Sequence, residues 1–317
     1  MKKNRRFSSF INMQHIFLFE VSIGIIANTF LLLFHILTFL LEHRLKSTDL
    51  VIGHLAFIHI LMLLTVGFIA MDIFGFHDLG NGITCKYILY YYRVMRGLSI
   101  STTCLLSVIQ AITLSPRSSC LAKFKQKSLH QNLCCFLFLW LFNMLICGRF
   151  LISTVATPNA TLHSLMFVTQ SCSLLPIRSF LKYISLSLMI FKHMSFIGLM
   201  ALSSGYMLIL LCRHKRKSKH LHSLYQPPKS SPEQRATWTI LLLMSFFIVM
   251  YILDSVIEYT SAMLWNHGPI LHGIQMLLGN GYATFSPFVL ISTERRLIKW
   301  FIFMWGKHRN FLLFRDG

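Results

Sequence analysis

The chain has 317 residues, 55% of them hydrophobic and only 13% charged, where a soluble domain carries about 25% charged residues. That composition excludes a soluble globular domain. A formal charge of +20 would suit nucleic acid, but Lys and Arg cluster in short segments between long apolar runs, without a zinc-finger spacing or an aromatic-interleaved basic groove, so no nucleic-acid partner is expected.

The first fifteen residues are basic and polar, and the apolar stretch behind them is too long for a signal core and lacks a small-residue cleavage site. Residues 1–15 are therefore expected to be an extracellular amino-terminal segment, and Ile16–Leu41 the first membrane helix. Further apolar segments of the ~20 residues needed to cross a bilayer follow at Leu50–Phe74, Tyr87–Leu114, Leu133–Val155, Ile184–Cys212, Trp238–Leu264 and Ile270–Ser292. The third is the least apolar, because Arg93 and Arg96 interrupt it, so it is expected to face protein rather than lipid. In lipid each segment must pair its own backbone polar groups, which makes all of them helices. The expected fold is an all-α membrane protein: a seven-transmembrane helix bundle over 16–292, amino terminus extracellular, with a basic cytoplasmic tail at 293–317.

Orientation rests on the basic residues. With the amino terminus outside, nineteen Lys and Arg fall in cytoplasmic segments and seven in outer ones, as the positive-inside rule requires. Asn159-Ala160-Thr161, an N-glycosylation acceptor, then falls outside, in the loop after the fourth helix. Cys85, just before the third helix, and Cys172, in the same outer loop as Asn159, also reach the oxidising side, where cysteines tend to pair. A Cys85–Cys172 disulfide is expected. The eight cysteines contain no C-x-x-C pair, so no metal or cofactor is implied. Cys104, Cys134, Cys135 and Cys147 lie inside apolar runs and read as small buried hydrophobes.

The ordered run of motifs resembles vomeronasal type-1 receptors. It comprises DLVIGHLAFIH in the second helix, CKYILYYYRVMRGLSISTTCLLSVIQAITLSPRSSCLAKFKQK from Cys85 onward, and GLMALSSGYM followed by RHKRKSKHLHS. SPEQRATWTILLLMSFF and YATFSPFVLISTERR complete it, and the likeness spans Gly24 to Arg296. The resemblance implies a rhodopsin-like G-protein-coupled receptor of the plasma membrane, and not an enzyme. It would bind small pheromonal or odorant molecules and signal through a heterotrimeric G protein of the inhibitory class. It places the G-protein contact at Arg213, Lys215, Arg216 and Lys217, for which a loop hugging lipid headgroups is the other reading. Asn28 keeps the superfamily's first-helix Asn, whereas His59 stands where an Asp is usual and Ser286-Pro287-Phe288-Val289-Leu290 replaces Asn-Pro-x-x-Tyr. The Asp-Arg-Tyr of the third helix is replaced near Val108-Ile109-Gln110, and the seventh helix holds no Lys for a retinal Schiff base.

Arg96 lies eleven residues past Cys85, ~16 Å into the membrane at ~1.5 Å per residue. A charge at that depth costs about 2.5 kcal/mol or more and faces the bundle interior. Tyr92 shares its helix face, as Asp254 shares one with Glu258, and Arg93, Lys192 and His193 lie at similar depth. Tyr92, Arg93, Arg96, Lys192, Asp254 and Glu258 are therefore candidates for a ligand cavity, with an ion-pair network that only braces the bundle as the alternative. His35, His54 and His59 read as buried, hydrogen-bonded imidazoles rather than a metal set, since His54 and His59 point to different faces. A transporter or intramembrane enzyme is the competing class, but neither an internal repeat nor a nucleophile–base pair is apparent in the sequence.

Overall fold

The computed structural model describes residues 2–42, 46–73, 82–116, 119, 124, 129–156, 166–167, 172–174, 179–221, 241–242, 244–253, 255–256 and 269–293. Its helices are α1 (Lys2–Glu42), α2 (Ser47–Ile73), α3 (Gly82–Leu114), α4 (Leu129–Cys147), α5 (Arg149–Ser153), α6 (Ser179–Leu221), α7 (Met244–Leu253) and α8 (Pro269–Thr293). Among the described residues, five helices are long and apolar enough to cross a membrane, over Gln14–Leu41, Ser47–Asp72, Ile83–Leu114, His130–Ser153 and Ser187–Arg213. The shorter α7 falls within the sixth expected segment, and α8 spans the seventh. This is a helical, multi-pass membrane protein.

The largest differences from the expected boundaries each have a local reason. α1 begins at Lys2 rather than Ile16; nothing in 2–15 breaks a helix, so the helix simply continues beyond the apolar segment. The fourth segment turns at Gly148, whose N–H bonds to Leu145 O at 3.2 Å, and its β-branched end Thr154-Val155 becomes strand instead of helix. α6 runs on to Leu221, beyond the apolar part, because the following Lys- and Arg-rich stretch is made of good helix formers.

α3 is the central helix. Its membrane window is 78% buried against 17% for α6, and it packs on α2, α4, α5 and α6, while α1 closes the bundle against α2 and α8. The outward faces carry Phe19, Leu41, Phe68, Leu145, Ile152, Phe191 and Leu202, all exposed, as a lipid-facing wall should be. This corrects the reading of two cysteines. Cys104 and Cys147 are buried, but Cys134 is exposed and Cys135 half-buried, beside exposed Leu133, Leu137 and Leu141 on α4. In lipid an apolar residue has no need to face protein, so hydrophobicity does not decide burial.

Pro287 lies inside α8 and has no N–H, which strips Ala283 O of its intrahelical donor. Asn28 of α1 fills that place: its Nδ2 donates to Ala283 O at 2.8 Å and to Gly24 O at 2.7 Å. An orphan carbonyl is costly in a membrane, so Asn28→Ala is expected to destabilise the bundle by about 1–3 kcal/mol, read as a lower thermal midpoint in detergent. Pro287→Ala restores a donor to Ala283 and should recover part of the loss. An equal loss with and without the proline would sink this account.

Candidate functional site

The outer end of α3 is pinned by a disulfide between Cys85 and Cys172, with Cα atoms 5.7 Å apart, inside the bridging range. Cys172 opens β3 (Cys172–Leu174), which pairs antiparallel with β1 (Thr154–Ala156) on one side and β2 (Met166–Phe167) on the other. The register sets Ala156 opposite Cys172, and β1 packs on α3. A small sheet thus packs on α3 where the sequence was read as loop.

A cleft opens between helices. α3 contributes Arg93 and Arg96, α6 contributes Lys192 and His193, and α7 contributes Tyr251. It encloses about 20 Å³ of free space, room for roughly one water. A second cavity of about 20 Å³ lies on the far side, among Ser99, Phe247 and Tyr282. Arg96 and Tyr251 belong to both linings. Arg96 and Lys192 are buried, at 7% and 5% exposure.

Two residues that sequence reasoning missed complete the wall. Phe150 of α5 takes the Arg93 guanidinium at 5.0 Å from its ring centroid and the Arg149 guanidinium at 4.7 Å, both cation–π distances. Arg149 also lines the cleft. Its signal was available in the sequence, as an Arg closing an apolar run, but the kink at Gly148 that turns it inward was not.

Of the expected cavity residues, Arg93, Arg96 and Lys192 meet at one cleft. Tyr92 does not line either cavity; it is buried, and its hydroxyl donates to Asn280 Oδ1 of α8 at 3.4 Å. Asp254, Glu258 and Asn159 lie outside the described residues. At the opposite end of α6, Arg213 and Arg216 are exposed, and Lys215 and Lys217 belong to the same helical run.

The midplane between cleft and inner face is polar and tightly paired. Trp140 Nε1 donates to His54 Nε2 at 3.1 Å; since an indole only donates, the His54 proton sits on Nδ1, which faces Thr102 Oγ1 at 3.4 Å. His59 bridges Ser99 of α3 at 2.8 Å and Ser286 of α8 at 3.4 Å. Both imidazoles are hydrogen-bonded to α3, His54 also to α4 and His59 also to α8, and Tyr282 reaches Thr103 at 3.4 Å. α3, which lines the cleft, is thus joined through polar contacts to α2 and α8.

Comparison with known proteins places this arrangement. The profile described as "Vomeronasal organ pheromone receptor family" matches residues 11–303. Vomeronasal type-1 receptor 90 of Rattus norvegicus is 52% identical over 297 residues, covering 94% of this chain and 96% of its own. Vomeronasal type-1 receptor 51 of Mus musculus is 49% identical over 298 residues, covering 94% and 93% respectively. A likeness of that extent, carried on a helical membrane bundle with its outer disulfide, decides the matter: the chain belongs to the vomeronasal organ pheromone receptor family, that of the vomeronasal type-1 chemosensory receptors.

Proposed function

We propose that the chain is a G-protein-coupled receptor of the plasma membrane that detects small pheromone-like molecules in the cleft between α3, α6 and α7. The observation that carries this reading is the joining of Arg93, Arg96, Lys192 and Tyr251 around one buried cleft, with the basic run of α6 at the other end of the same helix. The cleft is nearly closed, so a ligand of several heavy atoms must part its walls. A ligand that prefers the parted arrangement shifts the population toward it, with a coupling of about 1–3 kcal/mol. Because α6 runs unbroken from the cleft to Leu221, movement at Lys192 reaches the inner face along a single element.

The full bundle has seven spans with the amino terminus outside. The Cys85–Cys172 bond supports that sidedness, because such bonds persist in the oxidising compartment. Asn159 then carries the glycan: glycosidase treatment of the expressed protein should increase its gel mobility, and Thr161→Ala should remove that shift. An unshifted band from surface-delivered protein would strike out the site.

The inner partner is a heterotrimeric G protein, of the inhibitory class by family likeness. Replacing Arg213, Lys215, Arg216 and Lys217 together with glutamine should lower maximal signalling several-fold at equal surface expression, without changing the concentration for half-response by more than about twofold. Unaltered signalling would make the run a membrane anchor only. The reading as a whole is tested by calcium or cAMP imaging of cells expressing the chain against fractionated urine and steroid panels. Flux of a substrate without a G-protein response would favour a transporter instead.

A further inference from the structure

The second cavity, lined from α2, α3, α7 and α8, differs from the cleft in what it offers a guest. Arg96 and Tyr251 are shared with the cleft. The other hydroxyls on its wall are engaged by protein groups. Ser99 Oγ lies 2.8 Å from His59 Nε2, and Tyr282 Oη lies 3.4 Å from Thr103 Oγ1. These groups are satisfied without a guest, so a polar guest gains little from them. What the rest of the wall offers is apolar contact, from Met62, Phe247, Met250, Leu278 and Ala283.

That wall has fixed parts and one movable part. Phe247 is 1% exposed, and its ring meets Tyr282 edge to face with centroids 4.0 Å apart and Tyr251 at 5.4 Å. Interlocked rings in a close-packed core have little room to turn. Gly279 and Ala283, one turn apart on α8, contribute almost no side chain, and Met62 is buried. Met250 differs from all of these. It is half-buried, beside the exposed Val249 and Leu253, and its Cε rests 3.1 Å from where a Cβ on Gly281 would stand. Methionine is unbranched and turns freely about its side-chain bonds. With lipid on one side, Met250 can swing outward without displacing the core.

We propose that this second cavity is an apolar subsite for the hydrocarbon part of the ligand, and that Met250 is the movable wall that sets how long a chain it accepts. This rests on the cleft being the ligand site: the polar end of the ligand lies there, and its chain passes Arg96 and Tyr251, which line both spaces. The class of ligand is then a small amphiphile, one polar end joined to a flexible hydrocarbon chain. The cavity encloses about 20 Å³, so the chain enters by moving Met250 aside.

The test uses the 1-alcohols from butanol to decanol, which share a head group and differ only in length. Binding to the purified full chain in one detergent is read from thermal unfolding at increasing alcohol concentration. In wild type, affinity should rise about fourfold per added carbon, the ~0.8 kcal/mol of a buried CH₂, and should stop rising once the subsite is full. Met250→Ala removes Cγ, Sδ and Cε and should move that break to chains about two or three carbons longer. Met250→Phe, bulkier and stiffer, should move it to shorter ones. Should Met250→Ala fail to fold, Met250→Val is expected to shift the break in the same direction by about one carbon. Val249→Ala, on the exposed face beside it, should leave the break in place. A merely structural part for Met250 would change the affinity of every alcohol alike and leave the break where it is. A break that no Met250 substitution moves overturns the proposal. So does a break that Val249→Ala moves equally, a rise without a break, or absence of binding. If the break moves as expected but no alcohol evokes a G-protein response in cells, the subsite stands and the signalling role assigned to the cleft falls. A cellular response whose best chain length ignores Met250 keeps the cleft and removes the subsite.

Discussion

Cys172→Ser is expected to remove most of the receptor from the cell surface, by about tenfold or more, and Cys85→Ser should do the same. The bond joins residues 87 apart in sequence, and closing a loop of that length is worth roughly 4–5 kcal/mol in the chain-entropy picture, a large share of a membrane bundle's stability. Locally it ties β3 to α3, and with β3 go β1, through the Ala156–Cys172 pair, and β2. Losing the bond therefore frees the whole sheet from its tie to α3. Surface biotinylation measures the effect, and the double serine variant should be no worse than either single one, since each alone already breaks the bond. Full surface delivery of either single variant would show that the helices hold the sheet without it.

Arg96→Ala separates the two uses of the buried cations. Arg96 lines both cavities, so its removal enlarges the space on either side and changes what the cleft can hold. The expected outcome is a receptor that still reaches the surface and whose half-response concentration rises by about tenfold, the ~1.4 kcal/mol of one charge-assisted hydrogen bond. If Arg96 instead only braces the bundle against an acid, truncation strands a buried charge at a cost of roughly 3–5 kcal/mol and surface expression collapses. Collapse that Asp254→Asn rescues, with ligand preference unchanged, would decide for the brace. Dose–response imaging combined with surface labelling gives both quantities from one set of cells.

What the sequence disclosed followed from where each feature's physics resides. Hydropathy over ~20 residues depends on the residues themselves, so the apolar segments were legible, whereas the polar extensions of α1 back to Lys2 and of α6 on to Leu221 were not. The disulfide was legible as well, because only Cys85 and Cys172 were expected outside the membrane on the oxidising side. Arg93, Arg96 and Lys192 could be expected to face inward, since charges in lipid have few alternatives. Tyr92 shows the limit: sharing a face with Arg96 within four residues left its direction unresolved to about half a turn, and it meets Asn280 of α8 instead of the cleft. Asn143 was passed over, although a lone Asn inside the run LWLFNMLIC is a signal of buried polar pairing. Its contact with Gly97 of α3 joins residues 46 apart, and no local pattern encodes it. The cysteines of α4 failed for a different reason, since in lipid the rule that apolar means buried no longer holds.

The Cys85–Cys172 bond also carries information about biogenesis. Sulfurs can join only when both have been delivered to the same side of the membrane, so the 87-residue interval between them must thread the bilayer an even number of times. α3 and α4 supply two such passages. A nascent chain in which α4 fails to insert strands Cys172 in the reducing compartment, leaves Cys85 as a reactive thiol, and so labels itself as misassembled. Formation of this one covalent link is therefore a proofreading step for the central hairpin of the receptor, and an alkylating probe of Cys85 in newly made protein reads its error rate directly.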